Sequence, residues 1–596
     1  MSRKRKSPRA SQSEMGDNYR ELSPVEPVLR KPLSKGKMVV FTLITVLLLL
    51  GFLEAFLRVA GFGGVPRLFV PVLEMGQQKI YRSSNDALWL YFGNKFKGGA
   101  QLVGSTVPER IAMPKPPGVV RVFLLGESTV QGFPFPPNLA AASFLQRFLQ
   151  QRMPEGRNVE VINVGITAVA SFPLRYVADE VLKFSPDLLV LYAGHNEYFG
   201  AFGVASTQGV GTRPWQMALA LAIRTTGLYN AILSVVRKLP AADQANEMTG
   251  RSGLMAMMSA KELIGPKDPL RKLAEESLSA NIGYITQAAK RASVRIIICS
   301  LTSNLRDLPP IRNIEPSDAN SDEWRAEYVQ AEALATSAPV EALERLRKAA
   351  RLEPDHAATR FLLARVLEAA GKTTESLTEF QAARDADAMP WRATTQFNKV
   401  LRNIANSENV PFCDVDAAFL TDSGGPPGWG YFVDHLHPSL QGQAVMAWAI
   451  SECIGQSKSL ELKDIPKPKW QDTGRKLGDN RLTEWNVARR MTSLFGGPPL
   501  DSDKASARFW SDQTRQLMEG AAPFEKRAME SYNAALAQGS VGPTIPFFGG
   551  QEALKDSLFR EAAGYFRCAE FEAMPFTPER LISGYYFRYS RFRGRS

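Results

Sequence analysis

Cysteine and histidine are both scarce in this chain, which has four of each among its 596 residues. The cysteines are Cys299, Cys413, Cys453 and Cys568. They are too few and too scattered for a disulfide framework, and CxxC, HExxH and P-loop motifs are absent. The sequence therefore predicts no metal, nucleotide or other cofactor.

The body of the chain also lacks an excess of charge. Of the net charge of +12, +6 lies in residues 1–37 and +4 in residues 577–596, which leaves +2 between them. A nucleic-acid-binding domain usually carries a basic face, so we expect no nucleic-acid partner. The C-terminal tail mixes arginine with aromatic residues, a composition that suits lipid headgroups, an anionic polymer or docking onto the body.

One long apolar run lies near the N-terminus. Residues 38–53 carry no charge, and extension to residue 57 gives 20 residues, enough to cross a hydrocarbon core of about 30 Å. A cleaved signal peptide is the alternative, but the preceding tail is long and no A-x-A site follows closely. We predict a single-pass signal anchor over 38–57, with the basic tail in the cytoplasm and the body outside it, in the periplasm or beyond.

A second apolar stretch, residues 215–236, is interrupted by Arg224. A span here would place the motifs described below on opposite sides of the membrane, so we reject one. With Met255, Met257 and Met258 the stretch suits a lid over an acyl pocket, a helix on the membrane surface or a core helix. The hydrophobic pattern favours the core helix.

Short runs rich in β-branched residues alternate with helical patterns through the body. This alternation is typical of an α/β fold, a parallel sheet with crossover helices. The predicted strands are Val119–Leu125, Val159–Val164, Leu188–Tyr192, Val294–Leu301 and Val410–Val415. The predicted helices are 138–151, 172–184, 270–292, 390–407 and 439–454.

Between the fourth and fifth strands the pattern changes to Ala/Leu-rich helices. Glu341, Leu343 and Ala349 return 34 residues later as Glu375, Leu377 and Ala383. That period resembles tetratricopeptide repeats, but about one and a half repeats are too few for a free-standing solenoid. We therefore expect one row of leucines on the helices of this insertion to need partners on the body or on another protein. Its members are Leu343, Leu346, Leu363 and Leu367.

The predicted organisation has seven segments. They are a basic tail 1–37, an anchor 38–57, a linker or pre-domain 58–116, the first part of a catalytic domain 117–323, the repeat-like insertion 324–387, the second part of the catalytic domain 388–454 and a helical extension 455–596.

Polar motifs follow four of the predicted strands. They are Gly126-Glu127-Ser128-Thr129, Asn163-Val164-Gly165, Gly194-His195-Asn196-Glu197 and Asp434-His435-Leu436-His437-Pro438. Ligands of open α/β sheets bind at the carboxyl ends of the strands, so we expect these motifs to converge on one cleft.

Ester hydrolysis needs a nucleophile, a base, a group that orients the base, and donors for the oxyanion. Ser128, at a strand-to-helix turn, suits the nucleophile, and His437 the base. Asp434, three residues before His437, can orient its ring. The backbone N–H groups of Ser128 and Gly165 and the side-chain amide of Asn196 are the expected oxyanion donors.

These residues resemble the blocks of the SGNH/GDSL hydrolase family. The blocks are matched by Gly126-Glu127-Ser128, by Gly165, by Gly194 with Asn196, and by Asp434 with His437. Glu127 stands where the family name has Asp. The strings GESTVQGFPFPP, GHNEYFG and DHLHPS look like a membrane-anchored subgroup with tetratricopeptide-like repeats. The resemblance implies a flavodoxin-like three-layer sandwich and ester hydrolysis, or acyl transfer in some members.

Three further residues are candidates for substrate binding. They are His195, Asn304 and Arg306, for which ring packing and loop capping are the alternatives. We expect a membrane-anchored esterase that acts on an ester-bearing glycan or lipid, with a possible protein partner at the insertion. An O-acyltransferase acting on extracytoplasmic glycans and a non-catalytic scaffold stay open, although the retained motif residues argue against the scaffold.

Overall fold

The structure is a computed structural model that describes residues 34–92, 106–207, 211, 213–236, 255, 263–317, 319–538 and 544–594. Met257, Met258 and most of the basic tail lie outside the described residues. The chain divides into two units, Met1–Gly61 and Phe62–Ser596.

The strands, in chain order, are β1 Phe69–Met75, β2 Gln78–Ser83, β3 Arg110–Met113, β4 Val119–Gly126, β5 Asn158–Gly165, β6 Leu188–Tyr192, β7 Arg295–Cys299 and β8 Phe412–Cys413. The helices are α1 Lys35–Val59, α2 Trp89–Phe92, α3 Ser128–Gln131, α4 Ala141–Arg152, α5 Ser171–Val181, α6 Pro214–Arg224, α7 Gly227–Val236, α8 Pro269–Arg291, α9 Ser321–Leu334, α10 Pro339–Leu352, α11 Ala357–Ala369, α12 Thr373–Ala386, α13 Thr395–Ser407, α14 Val415–Ser423, α15 Leu440–Gln456, α16 Trp470–Leu477, α17 Arg481–Phe495, α18 Lys504–Glu519, α19 Pro523–Ala537, α20 Ile545–Lys555, α21 Phe559–Glu572 and α22 Pro578–Arg593.

Helix α1 forms the described part of the first unit. It has 25 residues, and at about 1.5 Å per residue it is about 37 Å long. None of its residues is buried, and it is long and apolar enough to cross a membrane. The predicted anchor 38–57 therefore lies within one continuous helix.

The central sheet of the second unit is parallel, with strand order β5-β4-β6-β7-β8. From β4 the chain passes to β5 on one side and then returns to β6 on the other side. Because parallel crossovers are right-handed, this reversal puts α4 and α5 on opposite faces of the sheet. The predicted parallel α/β sheet is confirmed, and the reversal opens a crevice at the carboxyl end of β4.

The predicted strand bounds agree best in the middle of the sheet. β6 matches its predicted bounds, and all five of its residues are buried because helices cover both faces. The edge strand β8 has two residues instead of the predicted six, because it pairs only with β7. In that pairing Cys299 lies opposite Cys413, and both thiols are buried.

A second, antiparallel sheet, β1-β2-β3, lies in the segment that the sequence left as a linker or pre-domain. It is tied to the body by polar contacts. The Leu68 and Phe69 N–H groups donate to the Glu180 carboxylate on α5 at 3.0 and 2.9 Å. The buried Arg121 side chain of β4 donates to the Ala112 carbonyl of β3 at 2.9 Å and forms an ion pair with Glu160.

The insertion consists of α9 to α12 and has a core of its own. Leu343, Leu346, Leu363 and Leu367 pack against one another and against residues of α9, including Ala331. The expectation that these leucines need partners outside the insertion is therefore wrong, because α9 packs over them. Helix α9 itself shows no repeat signature. Leu305 of the body makes one apolar contact with the insertion, packing against Ala364 and Phe380.

The C-terminal extension is helical from α16 to α22, as predicted. Part of this extension packs against the domain that contains the central sheet. Trp429, in the loop that precedes Asp434, stacks on Phe509 of α18 at 5.7 Å and meets Phe495 of α17 edge-on at 5.9 Å. The extension thereby supports one of the strand-end motifs.

Candidate active site

Ser128, His437 and Asp434 form a continuous chain of hydrogen bonds. His437 Nδ1 lies 2.6 Å from Asp434 Oδ2, and His437 Nε2 lies 2.7 Å from Ser128 Oγ. Asp434 is fully buried, and Ser128 and His437 are 6% and 7% exposed. The structure therefore brings Ser128 together with two residues that lie about three hundred positions later in the sequence.

The turn that carries Ser128 depends on close backbone packing. A Cβ atom on Gly126 would lie 2.1 Å from the Tyr192 carbonyl oxygen of β6, so only glycine fits there. Glu127 then leaves the strand in an extended conformation, and Ser128 begins α3. Gly132 ends this short helix with φ of +99°, in the left-handed region. Ser128 is thereby presented at the crevice beyond the end of β4.

Asp434 is bonded on both carboxylate oxygens. Oδ1 accepts hydrogen bonds from the backbone N–H groups of Leu436 and His437 at 2.9 and 2.8 Å, and Oδ2 is hydrogen-bonded to His437 Nδ1. Burial acts to raise the pKa of this carboxyl, but the charges of His437 and His435 and the hydrogen bonds lower it further than burial raises it. The pKa lies well below its usual value, so Asp434 is ionised and orients His437.

One expected oxyanion donor is buried without an acceptor. The Asn196 side-chain Nδ2 has no hydrogen-bond partner among the described residues, and Asn196 is 6% exposed. A buried donor left unpaired costs roughly 1–3 kcal/mol, so such a group is typical of a ligand site. Gly165 differs, because its N–H already donates to Asn163 Oδ1 at 2.9 Å.

Glu127 holds the motif that carries Asn196, a role that sequence reasoning missed. Its Oε1 accepts the Gly194 N–H at 2.9 Å, its Oε2 accepts the His195 N–H at 3.0 Å, and the Asn196 N–H also faces the carboxyl. Burial, and after it the charge of Glu197, raises the pKa of Glu127, while these N–H groups oppose the rise. The position of Glu127 directly before Ser128 was the signal in the sequence that could have indicated this role.

His195 and His435 are buried, and burial disfavours the charged form of both rings. Burial lowers the pKa of His435 to about 4 and that of His195 well below its usual value. His195 accepts the Ala393 N–H on Nδ1 at 3.3 Å, and its Nε2 lies 3.3 Å from the Tyr192 hydroxyl. Both nitrogens of His195 thus face protein groups.

The two other candidates for substrate binding lie in different surroundings. Asn304 is fully buried, its backbone N–H donates to the His435 carbonyl at 3.0 Å, and its side-chain Nδ2 has no partner among the described residues. Arg306 is half exposed and forms an ion pair with Glu368 of α11 at 3.0 Å. Asn304 therefore adjoins His435, whereas Arg306 contacts the insertion.

The segment that returns from the insertion also borders the site, and sequence reasoning missed it. Arg392 donates to the Asn304 carbonyl at 2.9 Å and pairs with Asp387 at 3.3 Å. The Trp391 ring lies 6.5 Å from the His435 ring, and its Nε1 has no partner in the described part of the chain. Trp391 and Asn304, each with an unpaired N–H donor, thus lie beside His435.

The ring of His437 packs against an aromatic ring. The centroid of the Phe133 ring lies 4.7 Å from that of His437, and the Arg490 guanidinium lies over the same Phe133 ring, 4.7 Å from its centroid. Arg490 also donates to the Pro134 carbonyl at 2.9 Å. Helix α17 of the C-terminal extension therefore supports the ring that packs on His437, which no motif in the sequence indicated.

Asp434, His435 and His437 are also close enough to act as metal ligands. Their ligand atoms lie within 4.8 Å of one another. However, His437 uses one nitrogen for Asp434 and the other for Ser128. The arrangement fits proton transfer between these groups better than metal binding.

Comparison with known proteins matches only part of the chain to a family. Residues 333–393 match the tetratricopeptide repeat family. No curated protein matches the sequence.

Solved structures are similar at low sequence identity. TesA is 13% identical, with 56% of this chain and 98% of that chain covered and a TM-score of 0.26. The acetylxylan esterase Axe2 from Geobacillus stearothermophilus is 14% identical, with coverage of 56% and 94% and a TM-score of 0.26. A putative lipolytic protein of the G-D-S-L family from Desulfitobacterium hafniense DCB-2 is 12% identical, with coverage of 56% and 99% and a TM-score of 0.24.

Proposed function

We propose that this chain is a serine esterase that hydrolyses carboxylic esters with Ser128 as nucleophile, His437 as base and Asp434 as the group that orients the base. The observation that carries the proposal is the continuous hydrogen-bond path from Asp434 Oδ2 through both nitrogens of His437 to Ser128 Oγ. Ester hydrolysis needs this arrangement of nucleophile, base and orienting acid.

In the first half-reaction Ser128 Oγ attacks the ester carbonyl carbon while His437 Nε2 takes the hydroxyl proton. The negative charge on the carbonyl oxygen is met by the Ser128 N–H and the Asn196 side-chain amide. Gly165 can join them only by sharing an N–H that already bonds to Asn163. The carbon–oxygen bond to the alcohol then breaks, and His437 gives the proton to the departing alcohol.

In the second half-reaction a water molecule attacks the acyl group on Ser128. His437 takes a proton from the water, the bond to Ser128 Oγ breaks, and the proton returns to that oxygen. The products are the free acid and the original enzyme. Asp434 stays ionised throughout and stabilises the charged form of His437.

An acyltransferase is the second candidate, because the same acyl-enzyme can be attacked by an alcohol instead of water. Ser128 is only 6% exposed, which limits its access to water, and Asn304 and Trp391, which lie beside His435, offer unpaired donors for the oxygens of an acceptor. Incubation with an ester and a soluble sugar alcohol separates the two functions. Transfer predicts an acylated sugar as the main product, whereas hydrolysis predicts free acid.

The setting of this activity is part of the proposal. Helix α1 anchors the chain in a membrane, with the basic tail in the cytoplasm and the catalytic domain outside it. The substrate is an ester on a glycan or lipid at that surface. The repeat-like insertion positions a partner. Reporter fusions after residues 70 and 454 test the orientation, since activity of a cytoplasmic reporter at either junction contradicts it.

Labelling with a fluorophosphonate, followed by mapping of the modified residue, tests the activity. We expect the label on Ser128 and hydrolysis of p-nitrophenyl acetate by the full chain in detergent. Ser128→Ala should lower the turnover by roughly 10⁶-fold. Ser451→Ala, which removes another buried hydroxyl, should leave turnover unchanged. Robust turnover by Ser128→Ala, with no label on the wild-type residue, would disprove the proposal.

A further inference from the structure

Helices α6 and α7 meet at a bend of 64° and carry a row of exposed apolar side chains. On α6, Trp215, Leu219 and Ile223 recur every fourth residue and are 61%, 53% and 49% exposed. On α7, Ile232 and Val235 are 56% and 62% exposed. We call these five residues the apolar stripe. The expectation of an ordinary core helix is therefore wrong for one of its faces.

The opposite face of α6 is held firmly by the body. Met217 and Leu221 are buried in the main hydrophobic core. Arg224, at the end of the helix, donates to the Leu90 and Tyr91 carbonyls at 2.7 and 3.2 Å. The stripe is thus presented by a helix with fixed orientation, and its exposure does not come from a frayed end.

These contacts also exclude α6 and α7 as a membrane span. The strands before and after the pair, β6 and β7, are neighbours in one sheet, with Leu188 opposite Arg295. A helix whose other face packs in the protein core can bury its stripe in lipid only by lying along the membrane surface. The geometry therefore favours a helix pair parallel to the bilayer.

The bend between the helices is bonded to the chain that follows the anchor. The Gly64 N–H donates to the Thr225 carbonyl at 2.9 Å. Gly63 packs so closely that a Cβ atom there would lie 2.6 Å from the Gly227 nitrogen. Four residues separate Val59, the last residue of α1, from Gly64, and a fully extended chain of that length reaches at most about 18 Å.

We propose that the apolar stripe binds the surface of the bilayer in which α1 is anchored. Tryptophan is enriched at the level of the lipid headgroups, and the aliphatic members of the stripe suit the boundary of the acyl chains. The short tether keeps the bend near the membrane, so docking costs little additional freedom. The proposal depends on α1 as a membrane anchor, and not on the esterase activity.

The test removes the anchor after assembly. A protease recognition sequence is inserted between Ala60 and Gly61 of the full chain, which is reconstituted into vesicles of phosphatidylethanolamine and phosphatidylglycerol. After cleavage the vesicles are floated on a density gradient in high salt, which screens exposed charges. We expect the released body to float with the vesicles, held by the apolar stripe.

A triple variant shows which residues hold it. Trp215→Ser, Leu219→Ser and Ile223→Ser together should lower the partitioning of the cleaved body roughly 100-fold. Val329→Ser with Val340→Ser is the matched control, because these insertion residues are also exposed, at 54% and 76%, and should not matter. All variants should float before cleavage.

Three outcomes overturn the proposal. They are release of the wild-type body on cleavage, retention of the triple variant, and failure of the uncleaved wild-type chain to float, which removes the anchor on which the proposal depends. Circular dichroism of the released body checks its folding. If the triple variant does not fold, the single Leu219→Asp variant takes its place, and its retention on the vesicles counts against the proposal in the same way.

Discussion

Replacing Glu127 by Gln should slow ester hydrolysis although the side chain meets no substrate atom in the proposed mechanism. Both oxygens of this carboxyl accept backbone N–H groups, from Gly194 at 2.9 Å and from His195 at 3.0 Å. A Gln side chain supplies one acceptor oxygen and one NH₂ group, so one of these N–H groups loses its partner. The loop that carries Asn196 then shifts or loosens.

The magnitude follows from the burial of these groups. One buried N–H without an acceptor costs roughly 1–3 kcal/mol, so Glu127→Gln should destabilise the protein by about that amount and Glu127→Ala by about twice as much. Loss of one oxyanion donor costs about 2.7–4 kcal/mol of transition-state stabilisation. Because Glu127→Gln displaces Asn196 without removing it, we expect turnover to fall by roughly 10- to 100-fold with little change in KM.

The decisive assay is a double-mutant cycle on p-nitrophenyl acetate. Asn196→Ala alone should lower turnover by roughly 10²- to 10³-fold. If Glu127 acts through Asn196, the double variant should be no more than about threefold slower than Asn196→Ala, since coupled residues are not additive. Glu197→Gln is the matched control, because this buried carboxyl bonds to Ser171 and should leave turnover within about threefold.

Two results would refute this reasoning. In one, the two single effects multiply in the double variant, which means that Glu127 acts independently of Asn196. In the other, Glu127→Gln changes stability and leaves turnover intact, so that the loop does not depend on the carboxyl for its position.

Three further predictions follow from buried charges and from the insertion. Arg490→Ala should lower turnover by roughly tenfold through the ring that covers His437, with partial rescue by Arg490→Lys, whereas Arg489→Ala, which removes a cation packed on other rings, should not. Burial raises the pKa of Glu197 to about 7 from 4.5, so the folded state holds this proton more tightly than the unfolded state does. The free energy of unfolding should therefore fall by roughly 3 kcal/mol as pH rises through that range. Urea unfolding at about pH 5 and about pH 8 should show a smaller loss for Glu197→Gln than for the wild type, and an equal loss would contradict the assignment. Arg347→Glu on the insertion should leave hydrolysis of p-nitrophenyl acetate within about twofold, because exposed substitutions rarely change stability by more than about 0.5 kcal/mol, and a large loss in a folded variant would mean that the insertion helps to build the active site.

Features that depend on residues close to one another along the chain were predictable from the sequence. The apolar strands of the central sheet, the helices between them and the 34-residue period are local patterns, and the observed bounds of most of these elements lie within a few residues of the predicted ones. Three of the four motifs were predictable for the same reason, because each lies at the end of a strand, whereas α14 separates the Asp434 motif from β8. Polar residues at the carboxyl ends of parallel strands must share one edge of the sheet.

Features that depend on contacts between distant segments were not predictable. The pattern of strands β1 to β3 does not reveal that β3 is tied to β4 by Arg121. The repeat period did not include α9, although α9 completes the core of the insertion. An amphipathic stripe shows that a helix needs a partner, but it does not identify that partner.

The same division holds at the candidate site. The sequence by itself determined which residues can act as nucleophile, base and orienting acid, because residue type and strand order limit the choice. Only the tertiary structure decided that His437 lies between Asp434 and Ser128, that Gly165 spends its N–H on Asn163, and that Arg490, from a segment without any motif, packs over the ring that covers the base. Such arrangements consist of hydrogen bonds and ring contacts over a few ångström. They form only when the whole core packs, so no local pattern in the sequence encodes them.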